Sequence, residues 1–247
     1  MTDGVPGHLV GSVATGPDGT PVLDGRSFLS GHDRLFRERW GGWYATGHHG
    51  SLRHLGNAFT RRGDSPDSLE AGANSADLRG RFNTLLHLSG HSDIVALMVL
   101  EHQVTVHNAL AEAAIEARVA EFRVAQADDA PDAHRAVAIT MRKLAEPVVA
   151  AVLLTNEAPL PDAVTGSTVF SRRFASRGPS DARRRSLREL DLQQRLFTYL
   201  CSYLVYSRAF QELPPALKEE VDRQFSDALA SGAADGPGGA KKGTQLK

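Results

Sequence analysis

The chain has 247 residues, 41% of them hydrophobic and 23% charged, a globular composition with enough apolar material for a core. Lys+Arg number 28 and Asp+Glu 29, so the net charge of -1 lacks the basic excess of a general nucleic-acid binder. The single cysteine, Cys201, excludes an internal disulfide, a cysteine-rich zinc site and a CxxCH heme attachment within this chain.

Residues 1–60 are glycine-rich, with turn signals at Pro6-Gly7, Gly16-Pro17-Asp18-Gly19 and Gly41-Gly42. They predict an irregular arm with one short helix around Asp33–Arg39. Alternation is confined to Leu9–Val13, too short to predict a sheet. Residues 61–77 are polar and read as a surface connection. Ser92-Asp93 marks an N-terminal cap, and the apolar run after it predicts a buried helix over 92–126. A second helix is predicted from Asp132 to Asn156, with Pro147 expected to kink or split it near Glu146. Residues 157–179 read as loop. A third helix is predicted from Ser180-Asp181 to Phe210, with Leu192, Leu196, Tyr199, Tyr203 and Tyr206 on one face. Cys201 is expected to be an inert buried thiol. Pro214-Pro215 starts a short fourth helix to Ala230, and residues 231–247 read as a disordered tail. No continuous apolar run reaches the roughly 18 residues of a membrane span, and no secretory signal is visible at Met1–Val10. The predicted fold is all-α: an irregular bundle of about four helices over 78–230, with residues 1–77 as a loop-rich arm packed on it.

Nine of the ten histidines lie in the first 107 residues. In the helix at 92–126 the apolar run is interrupted by Glu101, His102, Gln103, Thr105, His107 and Asn108. On a helical wheel Glu101, Thr105 and Asn108 share one stripe, His102 joins Val95, Val99 and Val106, and His107 stacks on Gln103. No Glu-x-x-His or His-x-x-x-His pair lies on this helix, so any ligand site must draw donors from elsewhere. The richest supply is the segment Trp40-Gly41-Gly42-Trp43-Tyr44, followed by His48, His49 and His54. Aromatic rings beside neutral imidazoles suit a pocket for a flat cofactor, for which Trp40, Trp43, Tyr44, His49 and His54 are the candidates. The candidate metal ligands are His49, His54, Glu101, His102 and His107. The other reading makes these buried polar groups hydrogen-bonded anchors for the arm, and the protein a non-catalytic binding or structural module. His87 and His91 are expected to straddle a helix junction. Seven arginines between Arg172 and Arg188 read as a solvated face. No GxSxG, Walker, GxGxxG or HExxH motif is present.

Several runs together resemble a known family: Gly4-Val5-Pro6-Gly7-His8-Leu9-Val10, Arg39-Trp40-Gly41-Gly42-Trp43-Tyr44, His49-Gly50 with His54-Leu55-Gly56-Asn57, Ala71-Gly72-Ala73-Asn74, the run from His91 to Gln103, His107-Asn108, and Cys201-Ser202-Tyr203-Leu204-Val205-Tyr206-Ser207. They are similar to largely uncharacterised cytochrome c-like proteins of environmental bacteria, in order and spacing over 4–213. That family carries a secretory signal and a CxxCH motif ahead of the Gly-Val-Pro-Gly-His segment; this sequence contains neither. The resemblance implies a heme- or metal-associated redox protein of the bacterial periplasm with a redox partner protein. Any heme is expected to be held without covalent attachment through this chain.

Overall fold

The computed structural model describes residues 7–22, 27–59, 72–126 and 131–231. The predicted tail at 232–247 and most of the 61–77 connection lie outside the described residues. The described part is mostly helical. The long elements are α1 (Ile94–Ala125), α2 (Pro131–Val152) and α5 (Pro215–Ala230), with two short helices, α3 (Phe170–Ala175) and α4 (Arg208–Gln211), between the last two.

Helix α1 begins where the sequence places its cap. The Asp93 carboxylate accepts the N–H groups of Val95 and Ala96, which lack partners inside the helix. Its second oxygen accepts both the N–H and the hydroxyl of Thr168, tying the helix start to the 165–168 segment. By length and composition α1 could cross a membrane. Its apolar face is nevertheless used within the fold, where it joins two cores. Ile94, Val95, Leu97, Met98 and Val99 pack with Trp40, Leu154, Phe174 and Phe197. About two turns later, Val106, Leu110, Ala113 and Ala117 pack with Val148, Leu217 and Val221 of α2 and α5.

The loop-rich arm carries two small sheets that the sequence did not predict. Strand β1 (Gly11–Val13) pairs antiparallel with β2 (Ser27–Leu29), and β3 (Gly47–His48) pairs antiparallel with β4 (Thr165–Gly166). The expected short helix at 33–39 is a single 3-10 turn, Phe36–Glu38.

Two helix expectations are corrected. Helix α2 runs through Pro147 and ends at Val152 instead of breaking near Glu146. The helix predicted over 181–210 does not form. Short polar side chains there bond nearby backbone instead, a competition that disfavours helix. Asp181 accepts the amides of Arg183 and Arg185, and Asp191 accepts those of Gln193 and Gln194. Arg184 and Leu192 take positive φ, and only the 3-10 turn Tyr203–Tyr206 and α4 are helical. The tyrosines therefore share no face: Tyr203 is buried and Tyr206 is exposed. Arg188, one of the seven arginines, is not purely solvated, since its guanidinium covers the rings of Phe174 and Tyr203. Cys201 is partly buried, and burial pushes its thiol up to about 12, as expected of an inert thiol.

The arm's sheet is clamped by Gly41. Val13 donates to the Gly41 carbonyl at 3.0 Å, and the Gly41 N–H donates to Ser12 Oγ at 2.8 Å. A Cβ at Gly41 would lie 2.7–2.8 Å from the Val13 backbone, whereas one at Gly80 would meet nothing within 4 Å. Gly41→Ala should therefore cost about 1–3 kcal/mol of unfolding free energy, and Gly80→Ala less than about 0.5 kcal/mol. Urea denaturation checks this pair; equal effects would contradict the clamp.

Candidate functional site

The polar residues of α1 lie between its two cores. Glu101 and His102 are 0% exposed, and each is met by side chains from outside the helix. Arg39 reaches Glu101 Oε2 with Nη1 at 3.1 Å, an ion pair whose side chains are 3% and 0% exposed. The Ser30 hydroxyl donates to Glu101 Oε1. The rest of the guanidinium is satisfied by arm carbonyls: Nε and Nη2 donate to Arg34 O, and Nη2 to His32 O. Burial pushes the Glu101 carboxyl up to about 7, opposed by the Arg39 charge and the Ser30 hydroxyl. The Trp40 indole N–H makes no hydrogen bond of good geometry but also favours the carboxylate.

His102 lies in a second chain of contacts. Its Nε2 is 2.7 Å from Ser202 Oγ, and its Nδ1 is 2.9 Å from His32 Nδ1. Ser202 Oγ also accepts the Leu204 N–H as the cap of the 3-10 turn. Its hydroxyl hydrogen then goes to His102 Nε2, since a buried unpaired donor costs about 1–3 kcal/mol. His102 consequently carries its proton on Nδ1 and donates to His32 Nδ1, which leaves the proton of His32 on Nε2. Hydroxyl, imidazole and second imidazole in a row share the layout of a nucleophile, its base and an orienting group. Ser202, however, is 0% exposed, so substrate has no access to it.

His32 lines a half-open cleft of about 530 Å³ between the arm, α1 and α2. With Nδ1 turned inward, the Nε2–H is left for the cavity side. The walls are mainly apolar, from Val10 and Leu29 of the arm, Val104 and Ala109 of α1 and Leu144 and Pro147 of α2; Asp33, Asn108, Glu112 and Asn156 add polar groups. At its rim the Asn108 amide clasps the His8 backbone, accepting its N–H at 2.8 Å and donating to its carbonyl at 2.7 Å.

The histidines of the Trp/Gly segment lie elsewhere. His49 and His54 meet edge to face at 4.8 Å between ring centroids, in a cluster with Phe36 and Trp40. His49 Nδ1 donates to Leu52 O and its Nε2 accepts the Asn74 N–H, so both nitrogens are used. His107 is exposed and its ring lies tilted against that of His8. Trp43 donates its indole N–H to Gly11 O, and Tyr44 packs on Phe82. His48, His87 and His91 are exposed.

The expected convergence of His49 and His54 with His102 and His107 is thus replaced by three separate places. The five candidate ligands are therefore not brought together as one metal-binding set, although His54 Nδ1 has no hydrogen-bond partner. His49 and His102 have no free nitrogen, both Glu101 oxygens are engaged, and His107 lies at the surface. Among the described residues no group of three His, Cys, Asp or Glu could hold a metal ion. Ser30, His32, Arg39 and Ser202 complete the network, and sequence reasoning assigned them no role. The usable signal was the demand of Glu101 for a buried cation. The chain matches no family model, and neither a curated protein nor a solved structure matches it significantly.

The buried imidazoles set a pH dependence. Burial lowers His32 to about 4 and His54 to about 3, and also lowers His49 and His102 below their ordinary values. Below about pH 6.5 the unfolded chain takes up protons that these four do not, so stability falls as pH falls, by up to about 1.4 kcal/mol per unit for each group. Glu101 and Glu157, both pushed up to about 7, oppose this between about 4.5 and 7 because there the folded state holds the protons. Four against two predicts a net loss of stability from pH 6.5 towards 4, and a shallower slope in His102→Gln. Urea midpoints across that range check it; rising stability on acidification would contradict it.

Proposed function

We propose that the protein is a non-catalytic binding module in which a buried polar network pins the N-terminal arm to α1 and so builds one wall of a ligand pocket. The observation that carries this reading is the Arg39–Glu101–Ser30 contact, fully enclosed between arm and helix beside that pocket. Arm residues 8–10 and 29–34 supply one side of the cavity, so fixing the arm fixes the pocket's shape. Its volume falls in the range of about 300–1,000 Å³ typical of small-molecule sites. Apolar walls and one inward N–H from His32 suit a small, largely apolar, uncharged molecule carrying a hydrogen-bond acceptor. Asp33 and Glu112 outnumber the single Arg34 in the lining, which disfavours an anion. A heme- or metal-associated redox role in the bacterial envelope, and the redox partner it implies, rest on the sequence resemblance alone.

The test is an NMR titration of ¹⁵N-labelled protein with acetophenone, a neutral aromatic ketone. Shifts are expected at the amides of Thr105, Asn108 and Ala109 and at His32 Nε2, and they should vanish in Ala109→Trp, which fills the cavity. Shifts scattered away from the cavity, or unaffected by Ala109→Trp, would overturn the reading.

A further inference from the structure

Residues 78–90 form a closed surface loop that plays no part in the pocket. Its ends meet through the Leu78 N–H, which donates to the Gly90 carbonyl at 2.9 Å, and Leu78 is buried. Compact loops of this kind, with adjacent ends and internal packing, are frequently functional. Inside it, Asn83 Oδ1 caps the 3-10 turn Thr84–Leu86 by accepting the Leu85 N–H, and His87 donates to the Thr84 carbonyl. Phe82 packs between Tyr44 and His87. The loop is thus internally held, yet its tip turns its aliphatic side chains outward. Leu85, Leu86 and Leu88 are 91%, 81% and 109% exposed. Three leucines of such exposure within four residues form a patch that calls for a partner, unlike single exposed apolar residues.

The occupant can be argued from size, chemistry and charge. The nearest undescribed segment, 60–71, holds one large apolar residue, Leu69, and is otherwise mainly polar, so it offers no apolar cover for three leucines. Three side chains cover less than the ~800 Å² per partner of a stable protein interface. Leucine is also under-represented among the residues that dominate protein–protein binding energy, whereas it partitions favourably into a bilayer. Between Leu78 and Ser92 there is no acidic residue, while Arg79, Arg81, His87 and His91 all lie there. Two acids flank the stretch: Asp77 pairs with Arg79 at 2.8 Å, and Asp93 accepts hydrogen bonds from Val95 and Thr168. An aliphatic tip on an acid-free, basic loop matches the surface of an anionic membrane. We propose that the 78–90 loop docks this protein onto an anionic lipid surface by inserting Leu85, Leu86 and Leu88.

The experiment is co-sedimentation of the full chain with phosphatidylcholine vesicles and with vesicles doped with phosphatidylglycerol, alongside analytical ultracentrifugation without lipid. Tighter binding to the anionic vesicles is expected. The triple variant Leu85→Ser, Leu86→Ser, Leu88→Ser should lower partitioning about a thousandfold, at about tenfold per leucine withdrawn. Its melting curve should match the parent, because the three side chains are exposed in the free protein. The proposal is overturned if the parent does not bind anionic vesicles, or binds both kinds equally. It is also overturned if the triple variant binds as well as the parent, or if the parent self-associates through these leucines.

Discussion

Everything in the arm depends on one buried ion pair, Arg39 with Glu101. Helix α1 passes from one apolar core to the next, and at the junction it presents a carboxylate to a space without water. A lone buried carboxylate is too costly to persist, so a cation must come from outside the helix. Arginine suits the task, because its guanidinium keeps its charge when buried and its remaining donors can serve backbone carbonyls. Arg39 bonds the carbonyls of His32 and Arg34 while it meets Glu101, and in doing so it organises the turn that leads into the Phe36–Glu38 helix. One contact therefore fixes both the position of the arm and its local shape.

The histidines serve the same end by a different route. Each of the four buried ones is kept neutral by desolvation and, except for His54 Nδ1, has its known polar contacts in short hydrogen bonds. A neutral imidazole can donate at one nitrogen and accept at the other, which lets a single side chain bridge two backbone segments. His49 does this between Leu52 and Asn74, and His102 between Ser202 and the arm's His32. Of the histidines that form a candidate ligand set on paper, His49 and His102 act in this fold as two-ended connectors. His32 alone of the buried four lines the large cavity, which makes its tautomer a property of the pocket rather than of the core.

Much of the helical frame was legible in the sequence. The apolar run after Ser92-Asp93 gave α1 within two residues at each end, and Pro214-Pro215 marked the start of α5. The segment 181–210 was misread because apolar residues at helical spacing, Leu192 through Tyr206, outweighed the Asp and Ser residues that cap turns locally. Pro147 was expected to kink or split the helix, and the packing of Met141, Ala145, Val148 and Val152 on either side of it keeps α2 unsplit. At the site, the helical wheel identified Glu101 and His102 as buried groups in need of partners. It pointed to the dense supply at His48–His54, whereas the partners are single residues, Ser30, His32, Arg39 and Ser202. Local density of donors carries no information about which loop crosses a given helix turn; that is decided by tertiary packing.

The account rests on Arg39 and Glu101 acting as a unit, and a double-mutant cycle on unfolding free energy at pH 8, where the Glu101 carboxyl is ionised, tests this directly. Removing one partner should leave the other as an uncompensated buried charge, so Arg39→Met and Glu101→Leu should each cost about 3–5 kcal/mol. The double variant should cost much less than their sum, because two apolar side chains can occupy the junction without an orphaned charge, giving a coupling of about 2 kcal/mol or more. Additive costs, with no coupling between the two positions, would contradict the claim that this pair holds the arm to the helix.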